Sequence, residues 1–402
     1  MQPLSTSRQV YLDWLRILAI FGVLLFHSAR PFAENDPWHV NNATYSSVLS
    51  EFSFWLSRFR MHLLFFVSGT VTWFMLQKRD AGQFTRLRIR RLLVPLLFGM
   101  LIIVPPQVYM ERLTQGYKGN FWSFYPSIFD FTPYPKGNTS WHHLWFICYL
   151  IIYDIALAPV FAWATGPKGL KFRNSLAALA SGKRIYLIII PSVIWFTATV
   201  LKFPGTNDLV HDWCYFFYWL TFLVAGFICM LQPALMESLE RNRRFSLSMA
   251  FLLLVLINYF RWNKIELDWE HVNWVNYLYI ARQPLHSWLW VFALVGYGRK
   301  YLNKKLPIQD YLNQAVYPFY ILHQTVIVIV AYYVVKTDDT IGLKYLFIVI
   351  TSLGASMLIY HLFIRPFPVM RWLFGMKAIE EKKVIKEAPK AAPFELIEEA
   401  RY

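Results

Sequence analysis

Ten stretches of about 17–25 mostly apolar residues recur along the chain, separated by short polar connections. They run over 11–30, 53–77, 92–110, 143–165, 185–203, 213–232, 246–262, 273–297, 311–335 and 341–363. A bilayer-spanning helix needs about 20 such residues, so each stretch is a candidate span. No connection is long enough to hold a soluble domain, and no internal repeat is apparent. The pattern predicts an all-α, polytopic transmembrane helical bundle of about ten spans over residues 1–376. From 377 to 402 the charges mix in sign, with Glu380, Glu381, Lys382, Lys383, Lys386 and Glu387 before Pro389 and Pro393. That segment reads as a solvated cytoplasmic tail.

The connections alternate in charge. Lys78, Arg79, Arg86, Arg88, Arg90 and Arg91 fill one. Lys168, Lys171, Arg173, Lys183 and Arg184 fill the next but one, and Arg241, Arg243, Arg244, Arg299, Lys300, Lys304 and Lys305 continue the series. The intervening connections are acidic or balanced: Glu34, Asp36 and Glu51; Asp208 and Asp212; Glu266, Asp268 and Glu270; Asp338 and Asp339. By the positive-inside rule both termini are expected in the cytoplasm.

Composition narrows the class further. Of 402 residues 56% are hydrophobic and 16% are charged, against roughly a quarter charged in soluble proteins. A disordered chain, a coiled coil and an ordinary cytosolic enzyme are excluded. A net charge of +16 would suggest nucleic acid in a soluble protein. Here the cations sit in membrane-flanking connections, so the expected partner is the lipid bilayer and no nucleic acid. Cys148, Cys214 and Cys229 form no motif. The first stretch carries Arg16 and His27 with no cleavage pattern after it, and reads as a retained span.

Ionisable groups within spans are costly, and each is a candidate for function. Arg16 and His27 are eleven residues apart in the first span. Eleven steps of 100° return to nearly the same helix face, roughly 16 Å further along. The structural alternatives are a histidine hydrogen-bonded in the core and an arginine snorkelling or paired with Asp13. His62, Asp154, Arg282, His286 and His323 fall in other spans. Each alone is compatible with a structural role; together they point to a polar cavity. No two histidines have the spacing of a helical metal site, so no metal is expected. Arg88 and Arg91 are three apart and would share a helix face. Paired guanidiniums suit phosphate; arginines at a membrane edge touching anionic lipid are the plain alternative. The aromatic connection 111–142, with Trp122, Tyr125, Tyr134, Trp141 and His142, suits sugar stacking or an interfacial belt equally.

These residues together resemble the acyltransferase type 3 family of integral membrane acyltransferases. Asp13-Trp14-Leu15-Arg16 through Phe26-His27 is similar to its Arg-then-His signature, and Arg88-Ile89-Arg90-Arg91 to its R-x-x-R motif. Leu64-Phe65-Phe66-Val67-Ser68-Gly69, His143-Leu144-Trp145-Phe146-Ile147 and Tyr320-Ile321-Leu322-His323 also match. The similarity runs from about residue 8 to residue 377. Gly296-Tyr297-Gly298-Arg299-Lys300-Tyr301-Leu302 and Arg371-Trp372-Leu373-Phe374-Gly375-Met376-Lys377 look most like the subgroup of periplasmic glucan succinyltransferases. Met61-His62-Leu63 departs from the family's Met-Pro-Leu, so no family role passes to His62.

The resemblance implies acyl transfer from cytoplasmic acyl-CoA, as acetyl-CoA or succinyl-CoA, to a carbohydrate hydroxyl on the extracytoplasmic side of a bacterial inner membrane. The donor is a co-substrate, with no permanently bound cofactor. It places the coenzyme A phosphates at Arg16, Arg86, Arg88 and Arg91 and the general base at His27. His62, His323 or a backbone N–H would stabilise the thioester oxyanion, with Asp154 a further catalytic candidate. His143, Trp145 and Arg282 are candidates for the glycan acceptor. A succinyl donor would need a cation, with Arg58, Arg60 and Arg282 available. An acyl-enzyme through Ser28 or Ser68 is disfavoured, since neither lies in a nucleophile elbow. The competing reading is a proton-coupled transporter or flippase. No matching pair of Gly/Pro-broken spans supports it. The acyl-transfer reading needs one continuous route between the arginines and His27.

Overall fold

Apolar runs in a bilayer leave the backbone no polar partner but itself, so they form helices. The computed structural model describes residues 9–34, 38–265, 267–269 and 271–378. Asp36, Glu266 and Glu270 of the acidic connections, and the tail from 379 onward, lie outside the described residues. Among the described residues there is no strand, and only an isolated bridge joins Pro133 to Thr139. Eight helical stretches are long and apolar enough to cross a membrane: Val10–Phe32, Ser47–Leu76, Ala81–Thr114, His142–Thr165, Trp213–Leu231, Pro233–Trp262, Gln309–Val334 and Ile341–Ile364.

The remaining two expected spans have different shapes. The fifth is short and reaches spanning length only with the helical segment before it. Pro167–Ala180 and Arg184–Thr199 meet at 118°, around Gly182 with φ +53°. The eighth is one helix, Trp274–Tyr301, held at its start by a capping box between Asn273 and Asn276. It carries Arg282, Pro284 and His286, and is more polar than the other eight.

The basic connections are helical rather than open loops. Asp80 accepts the Gln83 N–H at 2.8 Å and starts a helix at Ala81. The arginine motif therefore rides on the third helix, where one π turn, Ile89–Leu93, follows Arg88. Likewise Pro233 opens a single helix of 30 residues that carries Arg241, Arg243 and Arg244. The second span divides at Arg58 and Phe59 into Ser47–Ser57 and Arg60–Leu76.

Two helices approach unusually closely. A methyl group at Gly69 would sit 1.9 Å from the Leu223 carbonyl oxygen, and one at Gly226 the same distance from that of Phe66. Small residues permit such contact where lipid supplies no hydrophobic drive between helices. Outward faces carry exposed Leu97, Ile194, Val255, Phe347, Ile350 and Phe363. That arrangement is normal against hydrocarbon and costly against water. The molecule is an integral membrane protein.

Candidate active site

His27 sits near the end of the first helix, Val10–Ala29, opposite to Arg16. Its Nδ1 is buried and has no hydrogen-bond partner. Beside it lies His323 of the Gln309–Val334 helix, the ring centroids 5.2 Å apart and nearly perpendicular at 88°. His143 approaches the other side of His323, also at 5.2 Å. Three helices thus bring together three of the sequence-predicted residues.

Carbonyl partners decide two of the tautomers. His323 Nδ1 lies 2.6 Å from the Tyr320 carbonyl oxygen, which can only accept. The proton is therefore on Nδ1, and Nε2 keeps a bare lone pair, buried and unpartnered. A neutral His323 offers a base's lone pair there, not the donor an oxyanion needs. His143 Nε2–H likewise donates to the Ile321 carbonyl at 3.0 Å, leaving its Nδ1 to accept from the Gln107 amide at 3.4 Å.

Gln107 extends this cluster into a polar network. It donates to Thr325 Oγ1 at 2.7 Å and accepts from Gln324 at 3.1 Å. The Gln324 amide faces His39 Nε2 at 3.2 Å. His39 Nδ1 contacts Glu111, which accepts the Tyr134 hydroxyl at 2.9 Å. His142 stacks on His39 with centroids 4.7 Å apart. Burial, then the charge and hydrogen bond of Glu111, push the Tyr134 phenol up to about 12. His39, Glu111, Gln107 and Gln324 carried no signal in the sequence. Glu111 lies one residue beyond the expected end of the third span, and a lone glutamine has no pattern. Spacing along a single helix shows no metal-ligand pair of histidines. The structure instead gathers His39, Glu111 and His142 from three segments, with potential ligand atoms all within 4.8 Å of one another.

At the other end the arginines divide. The Arg88 Nε–H donates to Asp154 at 2.5 Å, and its terminal nitrogen makes a second, closer contact with the same oxygen. Thr72 donates to the other Asp154 oxygen at 3.0 Å. The pair is buried, with side-chain exposures of 9% and 0%. In this conformation the Arg88 guanidinium, expected at the phosphates, is paired with Asp154, and the contacts of Asp154 are to Arg88 and Thr72 and to none of the described histidines. Sequence spacing missed this because Asp154 is sixty-six residues from Arg88.

Arg86 is exposed and lines an open groove of about 490 Å³ with Thr85, Ile89 and Pro159. Arg91 is half-buried in the π turn, where Gly375, at φ +65°, packs against its carbonyl. A side chain at Gly375 would meet that oxygen at 2.4 Å. Arg371 holds this return by donating to the Lys377 carbonyl at 2.8 and 3.0 Å. Arg16 donates to Asn313 Oδ1 at 2.9 Å and lies 3.7 Å from Asp13.

The other predicted residues sit apart from the three-histidine cluster. His62 lies among Tyr218, Trp219 and Phe222, with its ring 4.5 Å from that of Trp219. Trp145 meets the other part of this aromatic group, 5.6 Å from Trp219. Arg282 covers the Tyr279 ring at 3.2 Å. Arg60 covers Phe26, the neighbour of His27, at 3.3 Å, and its Nε has no partner. Between Arg16 and His27 the shared helix face carries Ile20 and Val23, 6% and 1% exposed. The expected route along that stripe is filled by packed side chains in this conformation.

Comparison with known proteins identifies the family. The acyltransferase type 3 profile, described as an acyltransferase domain, matches residues 9–361. Glucans biosynthesis protein C of Escherichia coli O1:K1 is 22% identical over 95% of this chain and 98% of its own length. The protein of that name from E. coli O157:H7 is 23% identical over the same shares. No solved structure matches the chain. A match from the helix bearing Arg16 to the one following His323 covers the whole helical bundle, and the chain belongs to the acyltransferase type 3 family of membrane acyltransferases.

Proposed function

We propose that this protein transfers an acetyl or succinyl group from cytoplasmic acyl-CoA to a carbohydrate hydroxyl across the bacterial inner membrane. The observation that carries the reading is the His27–His323 pair, with unpartnered nitrogens on adjacent rings. A base there has no protein group to serve, and family membership supplies the acyl chemistry. By the positive-inside rule the arginine end faces the cytoplasm and the histidine end faces outward.

In this reading His27 takes the proton of the acceptor hydroxyl as its oxygen attacks the thioester carbon. A C–O bond forms, the C–S bond breaks, and the proton returns to the departing coenzyme A thiolate. His323 Nε2 makes no hydrogen bond to His27 in this conformation; with donor and acceptor bound it takes the other N–H of His27, so that His27 presents its lone pair to the hydroxyl. His323 thereby becomes a positioning residue in place of an oxyanion donor. Arg16, Arg86 and Arg91 remain to bind the nucleotide phosphates, and the packing of Ile20 and Val23 must open to admit the acyl arm. Arg60, stacked beside His27, is the cation best placed for a succinyl carboxylate. The relatives' name concerns glucans, which makes a glucan the first acceptor to try; the aromatic connection 111–142 offers rings to stack on it.

The test is purified protein incubated with labelled acetyl-CoA or succinyl-CoA and a panel of glucans. Thioester consumption coupled to glycan labelling supports the reading. A folded protein that leaves the thioester intact with every acceptor while moving a glycan across vesicles supports a transporter instead.

A further inference from the structure

His39, Glu111 and His142 come from three separate segments: the connection after the first helix, the end of the Ala81–Thr114 helix, and the start of the next. We propose that these three residues form a binding site for a first-row divalent cation of the zinc class, with two imidazoles and one carboxylate as ligands.

Each ligand is already held from behind. Gln324 engages His39 Nε2 at 3.2 Å, and Ser140 Oγ engages His142 Nδ1 at 2.5 Å. Tyr134 and Gln115 donate to Glu111 Oε1 at 2.9 and 3.2 Å. The atoms that face one another are His39 Nδ1, His142 Nε2 and Glu111 Oε2, and the first and last of these are bonded to each other, His39 Nδ1–H donating to Glu111. Metal-bound histidines donate their other ring N–H to such a partner; Ser140 Oγ can accept from His142, and Gln324, which here gives His39 an N–H, would turn its own buried, unpartnered Oε1 to accept one. His142 Nε2 is buried with no partner at all. An ion entering here would displace the His39 Nδ1 proton now given to Glu111 and supply the partner that His142 Nε2 lacks. His142 also holds a left-handed backbone, φ +41°, which a non-glycine residue adopts at a cost.

Zinc bonds of about 2.0–2.2 Å put tetrahedral ligand atoms about 3.4 Å apart. Atoms already within 4.8 Å reach that spacing by small side-chain rotations. Two neutral imidazoles and a carboxylate leave one net negative charge to receive the cation. The nearby Arg112 is turned away, donating to Asn138, Gln115, Pro135 and Gly137. Imidazole and carboxylate suit zinc, copper, iron or nickel better than calcium or magnesium. Three protein ligands leave a fourth position open, as in sites that bind water or substrate. The set connects through Gln324 and Gln107 to His143, so an ion there would brace the outer wall of the histidine cluster.

The experiment is metal titration of the purified full chain in detergent, after chelation and gel filtration. Zinc content is read by elemental analysis and cobalt(II) by its visible ligand-field bands. The background variant carries His211→Ala and His271→Ala, because those exposed histidines pair with Asp208 and Asp268 and would hold adventitious metal. About one ion per chain is expected in that background, with a tetrahedral cobalt spectrum. His142→Ala should lose it, and Tyr134→Phe should weaken affinity about 10-fold or more. If His142→Ala fails to elute as a folded species, Glu111→Gln and Tyr134→Phe are compared instead. A folded background protein that binds no ion, or binds equally after His142→Ala, overturns the proposal.

Discussion

His323 donates its Nδ1–H to the Tyr320 carbonyl at 2.6 Å, and this one contact determines what the ring can do. It commits Nε2 to acceptance, 5.2 Å between centroids from the ring of His27. Replacing His27 with Ala should lower acyl transfer by about 10²–10⁴-fold, the usual contribution of a positioned base. His323→Gln should lower kcat with little change in the KM for acyl-CoA. Its pH–rate profile should lose the limb belonging to the imidazole pair. Initial rates with labelled donor check both, and a wild-type rate in His27→Ala removes the base.

Arg88 and Asp154 pair inside the bundle, with Thr72 donating to the carboxylate and Met75 Sδ 4.0 Å from the guanidinium. Removing one partner strands a buried charge, at a cost of about 3–5 kcal/mol. Arg88→Ala should therefore destabilise strongly, whereas Arg88→Met with Asp154→Leu should recover most of the loss. Thermal unfolding in detergent distinguishes these. Arg91→Ala should instead leave stability nearly unchanged and weaken acyl-CoA binding. If Arg88→Ala unfolds no earlier than wild type, the pair is not the brace described.

The close approach at Gly69 and Gly226 leaves no room for a side chain. Gly69→Leu should force the Arg60–Leu76 and Trp213–Leu231 helices apart and cost more than the roughly 1–3 kcal/mol of ordinary overpacking. Gly354→Leu, where nothing lies within 4 Å, is the matched control. Unfolding midpoints for the two should differ clearly.

Tyr134 titrates near 12 when folded, against an ordinary 10. A raised phenol favours the neutral form, so its contribution is fully present below pH about 10 and is lost as the pH rises through about 12. Wild type should lose stability faster than Tyr134→Phe across that window, by an amount solvent screening keeps small. Parallel melting curves that never converge with pH would show that the phenol does not stabilise Glu111.

If Arg60 receives a succinyl carboxylate, Arg60→Gln should reduce succinyl transfer at least 10-fold more than acetyl transfer. Competition between the two donors in one reaction measures the ratio directly. Equal losses would assign Arg60 to packing on Phe26.

Hydropathy alone determined the helical, membrane-spanning class, because a bilayer admits no other use for runs of this length. Helix periodicity placed Arg16 and His27 on one face, and motif order carried the family. Tertiary structure decided the rest. It paired Arg88 with Asp154, sixty-six residues away, because a buried charge is stabilised by an opposite one. Ile20 and Val23 closed the stripe because a core packs wherever side chains can meet. His39, Glu111 and His142 came together across more than a hundred residues, a distance over which no local spacing carries a signal. Even the role of His323 was set by a carbonyl one helical turn away, since a sequence names an imidazole but only its partner chooses which nitrogen keeps the proton.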